Sequence, residues 1–317
     1  YQRKAIGSGP FTVADFQPGH SLKLARSDTY HGTKAASNVV EFMQYSDADA
    51  LSKALTDGSL DMAAPVSAST ATGLNGKDGL TVKEGATTDK VLLAYNNGTD
   101  SLLSDEQARK AFRYQIDAAG IASAQPDAAG ALGGPISLLE PGYEDLTGLY
   151  PHDENQAGQM FSYFGAQYLT TVNLVVPEEY RSLAETIKQQ IERQPRPTVN
   201  LEVLSDEDYA KRIKDGKWEL TVMSMDGTDD AGIFADPDSM FHYDHTEAQQ
   251  AYADARAATN DADYEARMKA YARLISEDAA SDWLYTRKCF TVASTKVSGY
   301  PTSMINRRMP LAGLTVK

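Results

Sequence analysis

The chain has 317 residues, of which 42% are hydrophobic and 23% charged, and its formal net charge is −14. That length holds two domains, or one large one, with room for a sizeable core. The acidic balance excludes a nucleic-acid partner, which needs clustered Lys and Arg, and no apolar run approaches the roughly 20 residues of a spanning helix.

Residues 11–16 and 21–26 alternate as two strands, and Pro18-Gly19 between them suits the centre of a type II turn. A strand near Asn38–Met43, a helix opening at about Asp47 and stopped at Gly58, and a strand at Leu60–Ala63 read as a βαβ unit with a right-handed crossover. Residues 66–90, rich in Ser, Thr, Gly and Lys, read as an irregular connection and a crossover between lobes. Val91–Tyr95 is a short apolar strand that closes on Asn96-Asn97-Gly98. Ser104 to Gln107 has the spacing of a capping box, opening a helix through Ala108, Phe112 and Ile116 that ends at Gly120. Residues 123–160, with many Gly, Pro, Asp and Ser, read as a long irregular segment.

From residue 169 the pattern becomes regular. A strand at Leu169–Val176 precedes a helix carrying Leu183, Ile187 and Ile191. A strand with Val199, Leu201 and Val203 precedes a helix capped at Ser205, and a strand follows over residues 218–225. This β-α-β-α-β order is the unit of a parallel sheet. In the last strand, Trp218, Leu220 and Val222 are expected on one face, and Thr221, Met223 and Met225 on the other. Two helices, about 246–258 and 262–278, follow, the second with a core stripe of Tyr264, Met268, Tyr271 and Ile275. Strand segments at Trp283–Tyr285 and Phe290–Ala293 end the regular part. The single cysteine, Cys289, lies in an apolar run and is expected to be buried; alone, it forms no internal disulfide.

The strand 218–225 gives way abruptly to Asp226-Gly227-Thr228-Asp229-Asp230. Ligands of open α/β sheets sit just past the carboxyl ends of strands, so these carboxylates are the candidate ligand contacts; a solvated acidic turn is the competing reading. No motif for chemistry accompanies them. Gly7-Ser8-Gly9 lacks the rest of a dinucleotide fingerprint, and no Walker A or G-x-S-x-G sequence occurs. His242 and His245 read as surface residues, and the aspartate spacing is not that of an EF-hand. No catalytic residue, metal or cofactor is therefore expected. A hydrolase working with paired carboxylates stays open as an alternative, as does a surface interaction module without a small ligand.

Several runs together resemble the extracellular solute-binding proteins of family 5, the dipeptide, oligopeptide and nickel receptors of ABC importers. Gly7-Ser8-Gly9-Pro10-Phe11, with Phe16-Gln17-Pro18-Gly19, is similar to their G-T-G-P-Y … W-x-P-G hairpin. Ala54-Leu55-Thr56-Asp57-Gly58-Ser59-Leu60-Asp61 is similar to A-L-x-x-G-E-I-D. Leu92–Asn96 with Ala108–Asp117 is similar to L-x-F-N … V-R-Q-A-L-x-Y-A-I-D, and Ala266–Asp278 to the late helix. The resemblance spans nearly the whole chain.

It implies an α/β, two-lobed, periplasmic-binding-protein-like fold (type II, large cluster) that closes by hinge motion on a ligand. Residues 1–90 and 290–317 would form a partial lobe I, and 91–289 lobe II. The chain begins at Tyr1 without a start methionine, and family members are longer at the amino end. A missing part would supply early strands of lobe I, a small extra subdomain and a lipid anchor. The implied function is non-enzymatic: extracytoplasmic capture of a small solute, above all a peptide, and its delivery to ABC permease subunits. In peptide-binding relatives an aspartate after the strand matching 218–225 pairs with the ligand's α-ammonium, since an uncompensated buried charge is costly. Asp226, Asp229 and Asp230 compete for that role here, and Asn96 is the fourth candidate contact. The relatives carry a Trp just before that aspartate and an early Asp-Pro; this chain has Met225, and its Asp236-Pro237 comes later.

Overall fold

A computed structural model describes residues 7–163, 171–227, 230–305 and 308–317. The chain forms two units, Tyr1–Ala86 with Lys288–Lys317, and Thr87–Arg287.

In the first unit, β1 (Phe11–Gln17), β2 (Ser21–Arg26) and β3 (Val39–Met43) form an antiparallel sheet. The turn between β1 and β2 is closed by His20 N donating to Gln17 O, with Gly19 at φ +76, the backbone a type II turn requires. Cross-strand register places Val13 and Phe16 of β1, Leu22 and Leu24 of β2, and Val40 and Phe42 of β3 on one face. Each is half-buried or exposed. Helix α1 (Ala48–Asp57) is capped by Asp47, whose carboxylate accepts from Ala50 N at 2.8 Å, and stops at Gly58 with φ +79. β4 (Met62–Val66) follows, then α2 (Ala68–Leu74) and β5 (Leu80–Tyr95).

This corrects two expectations. No βαβ unit spans 39–66, because β3 belongs to the small sheet whereas β4 pairs antiparallel with residues some 225 positions later. The stretch 66–90 is also regular, holding α2 and the first eleven residues of β5.

The second unit begins inside β5. Helices α3 (Glu106–Gln115) and α4 (Ala118–Ala124), strand β6 (Ala128–Ala131) and helix α5 (Glu154–Tyr163) come first. The cap of α3 is Asp105, accepting from Gln107 N at 2.8 Å, one residue beyond the expected Ser104, which ends a 3-10 turn. The helix stops at Gln115, and Asp117 caps a separate helix through Gly120 N rather than one helix running to Gly120.

Next come β7 (Thr171–Pro177), α6 (Arg181–Ile191), β8 (Thr198–Leu204), α7 (Asp206–Lys214) and β9 (Leu220–Met225). β7 pairs parallel with β8 and β9, as the β-α-β-α-β pattern predicts. Helices α8 (Thr246–Arg256) and α9 (Asp261–Glu277) precede β10 (Ser281–Ser294). The strand order in this unit is β10-β5-β9-β7-β8, with β6 paired to Tyr285–Arg287 of β10. The chain returns to the first unit within β10, whose Phe290–Ala293 pair with β4, and ends on β11 (Val297–Ser298) and β12 (Thr315–Val316).

The second-unit sheet is buried on both faces, so its strands read as continuous apolar runs. Val91, Leu93 and Tyr95 enter one core with Leu174, Leu220 and Val222. Leu92, Ala94 and Met225 enter the other with Met268, Tyr271 and Ile275. Trp218 lies in this second core, not on the face of Leu220 and Val222 as its spacing suggests. The strand starts only at Leu220, after a turn with Gly216 at φ +67, so the period of two does not reach back to Trp218. Cys289 is buried, as expected.

Candidate functional site

β9 is a six-residue strand between two neighbours, antiparallel to β5 and parallel to β7. At its carboxyl end the chain passes through Asp226 and Gly227 and, after residues 228–229, enters a 3-10 turn at Asp230–Ala235. Phe234 fixes this turn by packing 4.5 Å from Phe241 and 5.5 Å from Trp283, ring centre to ring centre. Tyr271 Oη of α9 donates to Ala231 O at 2.8 Å. An acidic loop is thus held by an aromatic plug.

The carboxylates meet an unexpected partner. Lys90 of β5 opposes Met225 in register, and its side chain is 1% exposed. Its Nζ lies 2.9 Å from Asp230 Oδ1 and 2.6 Å from Glu140 Oε2. Glu140 also accepts from Ser137 N at 2.8 Å, and Asp230 Oδ2 accepts from Gly227 N at 2.7 Å. Burial pushes the Glu140 carboxyl above its ordinary value, with Lys90 pulling it back. Two carboxylates around one buried ammonium leave a net negative charge at the carboxyl end of β9.

Asp226 is half-buried, and its carbonyl accepts from Thr88 Oγ1 at 2.5 Å. Asp229 lies outside the described residues. Asn96 sits at the other end of β9, its N donating to Glu219 O at 3.0 Å. Its Nδ2 donates to Trp218 O at 2.9 Å, and its Oδ1 accepts from Gly98 N at 3.0 Å. Six residues of strand separate the two ends by about 17–20 Å. The structure therefore brings Asp226 and Asp230 together and places Asn96 apart from them. Lys90 and Glu140 carry no sequence signal: one is a lysine at the edge of a polar run, the other an acid in an irregular segment. Among the described residues, no three His, Cys, Asp or Glu side chains are grouped to hold a metal ion.

Gly227 has φ +82, and a Cβ there would stand 2.3 Å from Thr88 Cβ. Gly227→Ala is accordingly expected to cost about 2–3 kcal/mol, from backbone strain and overlap together. Urea denaturation followed by tryptophan fluorescence measures it, and a wild-type midpoint would contradict the close approach.

The profile of the bacterial extracellular solute-binding proteins, family 5 Middle, matches residues 1–252. No curated protein matches the chain in sequence. Solved structures share its fold at low identity. The ABC transporter substrate-binding protein CtaP from Listeria monocytogenes superposes with a TM-score of 0.84 at 15% identity, covering 98% of this chain and 67% of that one. The oligopeptide-binding protein AppA from Bacillus subtilis, solved in complex with a nonapeptide, gives a TM-score of 0.73 at 16% identity, covering 98% and 67%. NikA from Brucella suis, in complex with Fe(III)-EDTA, gives 0.79 at 16% identity, covering 98% and 68%. On the match over residues 1–252, the chain belongs to the bacterial extracellular solute-binding proteins of family 5.

Proposed function

We propose that the chain is the solute-capturing component of an ABC importer, acting outside the cytoplasm without catalysis and delivering a small solute, foremost a peptide, to permease subunits. The observation that carries this reading is the family match over residues 1–252. The loop at the carboxyl end of β9 supports it, since it offers negative charge where open α/β sheets receive ligands. Among the described residues, no helix is long and apolar enough to cross a membrane.

Within this reading the three aspartates are not equivalent. Asp230 already meets Lys90 through one carboxylate oxygen and Gly227 N through the other, so its charge is matched inside the chain. Asp226 and Asp229 are the ammonium anchors we propose, and Asn96 is a contact only for a ligand at the far end of β9.

Isothermal titration with a peptide library tests the reading. Asp226→Asn is expected to weaken binding about ten- to hundredfold if its charge pairs with a desolvated ammonium. Silence of the gene's full-length product toward peptides, sugars and metal chelates alike would remove the receptor assignment. Turnover of a peptide or glycoside would restore the hydrolase alternative.

A further inference from the structure

The amino end of β9 carries a cavity of about 660 Å³, built wholly from the second unit. That volume lies within the range of small-molecule sites. Its most informative wall is Glu219. The Oε2 of this residue accepts from Asn173 N at 2.6 Å and from Asn173 Nδ2 at 3.0 Å. Its Oε1 has no protein partner among the described residues. The carboxyl is half-buried, and burial pushes it above its ordinary value against the pull of Asn173. A carboxylate held in place by one oxygen, with the other left open in a concave wall, is prepared for a donor.

The charge around it points to the kind of donor. Asp100 and Asp215 also line the cavity, and both are exposed. Of the two basic residues in the lining, Arg212 is already bound in a fork by Glu202, at 3.0 and 2.7 Å. Lys217 alone opposes three carboxylates. His242, on the same lining, has φ +49, a strained backbone for a residue with a side chain; such strain gathers at functional sites.

We propose that this cavity is a binding site for a small organic cation carrying a primary amine or guanidinium, with Glu219 Oε1 as its anchor. A cation there restores the charged form of a carboxyl that burial disfavours. The negative rim draws cations in and turns anions away. The site lies at the opposite end of β9 from Asp226, so it stands or falls separately from the peptide site.

Titration calorimetry of the purified chain with agmatine, putrescine and, as the anionic counterpart, succinate tests the proposal. Agmatine is expected to bind saturably at one site, and succinate not at all. Glu219→Gln keeps an acceptor for Asn173 and removes the charge; it should weaken agmatine roughly tenfold or more. Glu265→Gln, an exposed carboxylate of α9, controls for general attraction to an acidic chain and should leave the affinity unchanged. Chemical-shift mapping on the wild type reads the site without any substitution, and the shifts should centre on Asn173, Glu219 and Gly98. The proposal is overturned by absence of saturable agmatine binding, by equal losses in Glu219→Gln and Glu265→Gln, or by shifts centred elsewhere.

Discussion

Lys90→Met is expected to destabilise the second unit by about 3–5 kcal/mol, the usual cost of removing one partner from a buried ion pair. The lysine is 1% exposed between Glu140 at 15% and Asp230 at 11%, so its loss leaves two poorly hydrated carboxylates facing each other. The deficit should shrink on acidification, because protonating either carboxylate removes the repulsion. Neutralising the acids as well, in Lys90→Met/Glu140→Gln/Asp230→Asn, should recover part of the loss, since buried amides carry a much smaller desolvation penalty than buried carboxylates. Both tryptophans, Trp218 and Trp283, are buried in the second unit, so their fluorescence follows that unit's unfolding alone. A loss below about 1 kcal/mol would mean that the ammonium is hydrated in solution and the cluster is a surface pair.

The other large effect concerns pH. Asp282 on β10 is 2% exposed, with Arg113 Nε 3.2 Å from its Oδ1. Burial pushes its carboxyl up to about 7, with Arg113 pulling the other way. The native state therefore holds this proton over a range where the unfolded chain, titrating near the ordinary value, has lost it. The stabilisation is fully present below the unfolded value and is lost as pH rises through about 7. Other carboxyls are held below their usual range and act in the opposite direction, Asp47 and Asp57 among them. The comparison that isolates Asp282 is with Asp282→Asn. That variant should gain stability over wild type between about pH 4 and 7, on the order of 4 kcal/mol in all, and level off above. A difference independent of pH would show that Arg113 keeps the carboxylate charged throughout.

The sequence made β7, β8 and β9 legible because their partners are near in the chain and their apolar periods are unbroken. It hid the amino-terminal half of β5, where Lys83, Glu84, Gly85, Thr87, Thr88 and Asp89 look like loop. That part is strand because a distant segment, β10, supplies its ladder, and composition says nothing about ladders formed across about 200 residues. The same distance explains the βαβ misreading at 39–66. At the site, the run of acids after β9 was visible, whereas its counter-charge was not. Asp230, Glu140 and Lys90 meet only through the fold, 50 residues apart on one side and 140 on the other. Asn96 looked like a neighbour of Asp226 because both end apolar strands, but antiparallel pairing of β5 with β9 sends those ends in opposite directions.

The small sheet of β1, β2 and β3 has a consequence for how evenly the chain is held together. Its apolar side, from Val13 to Phe42, is only half-buried or exposed, so parting those strands uncovers less new apolar surface than parting fully buried ones. Parting β5 from β9 instead strips two interiors at once. Cooperativity is thus expected to be greatest in the second unit, and the small sheet is expected to lose amide protection first in native-state hydrogen exchange.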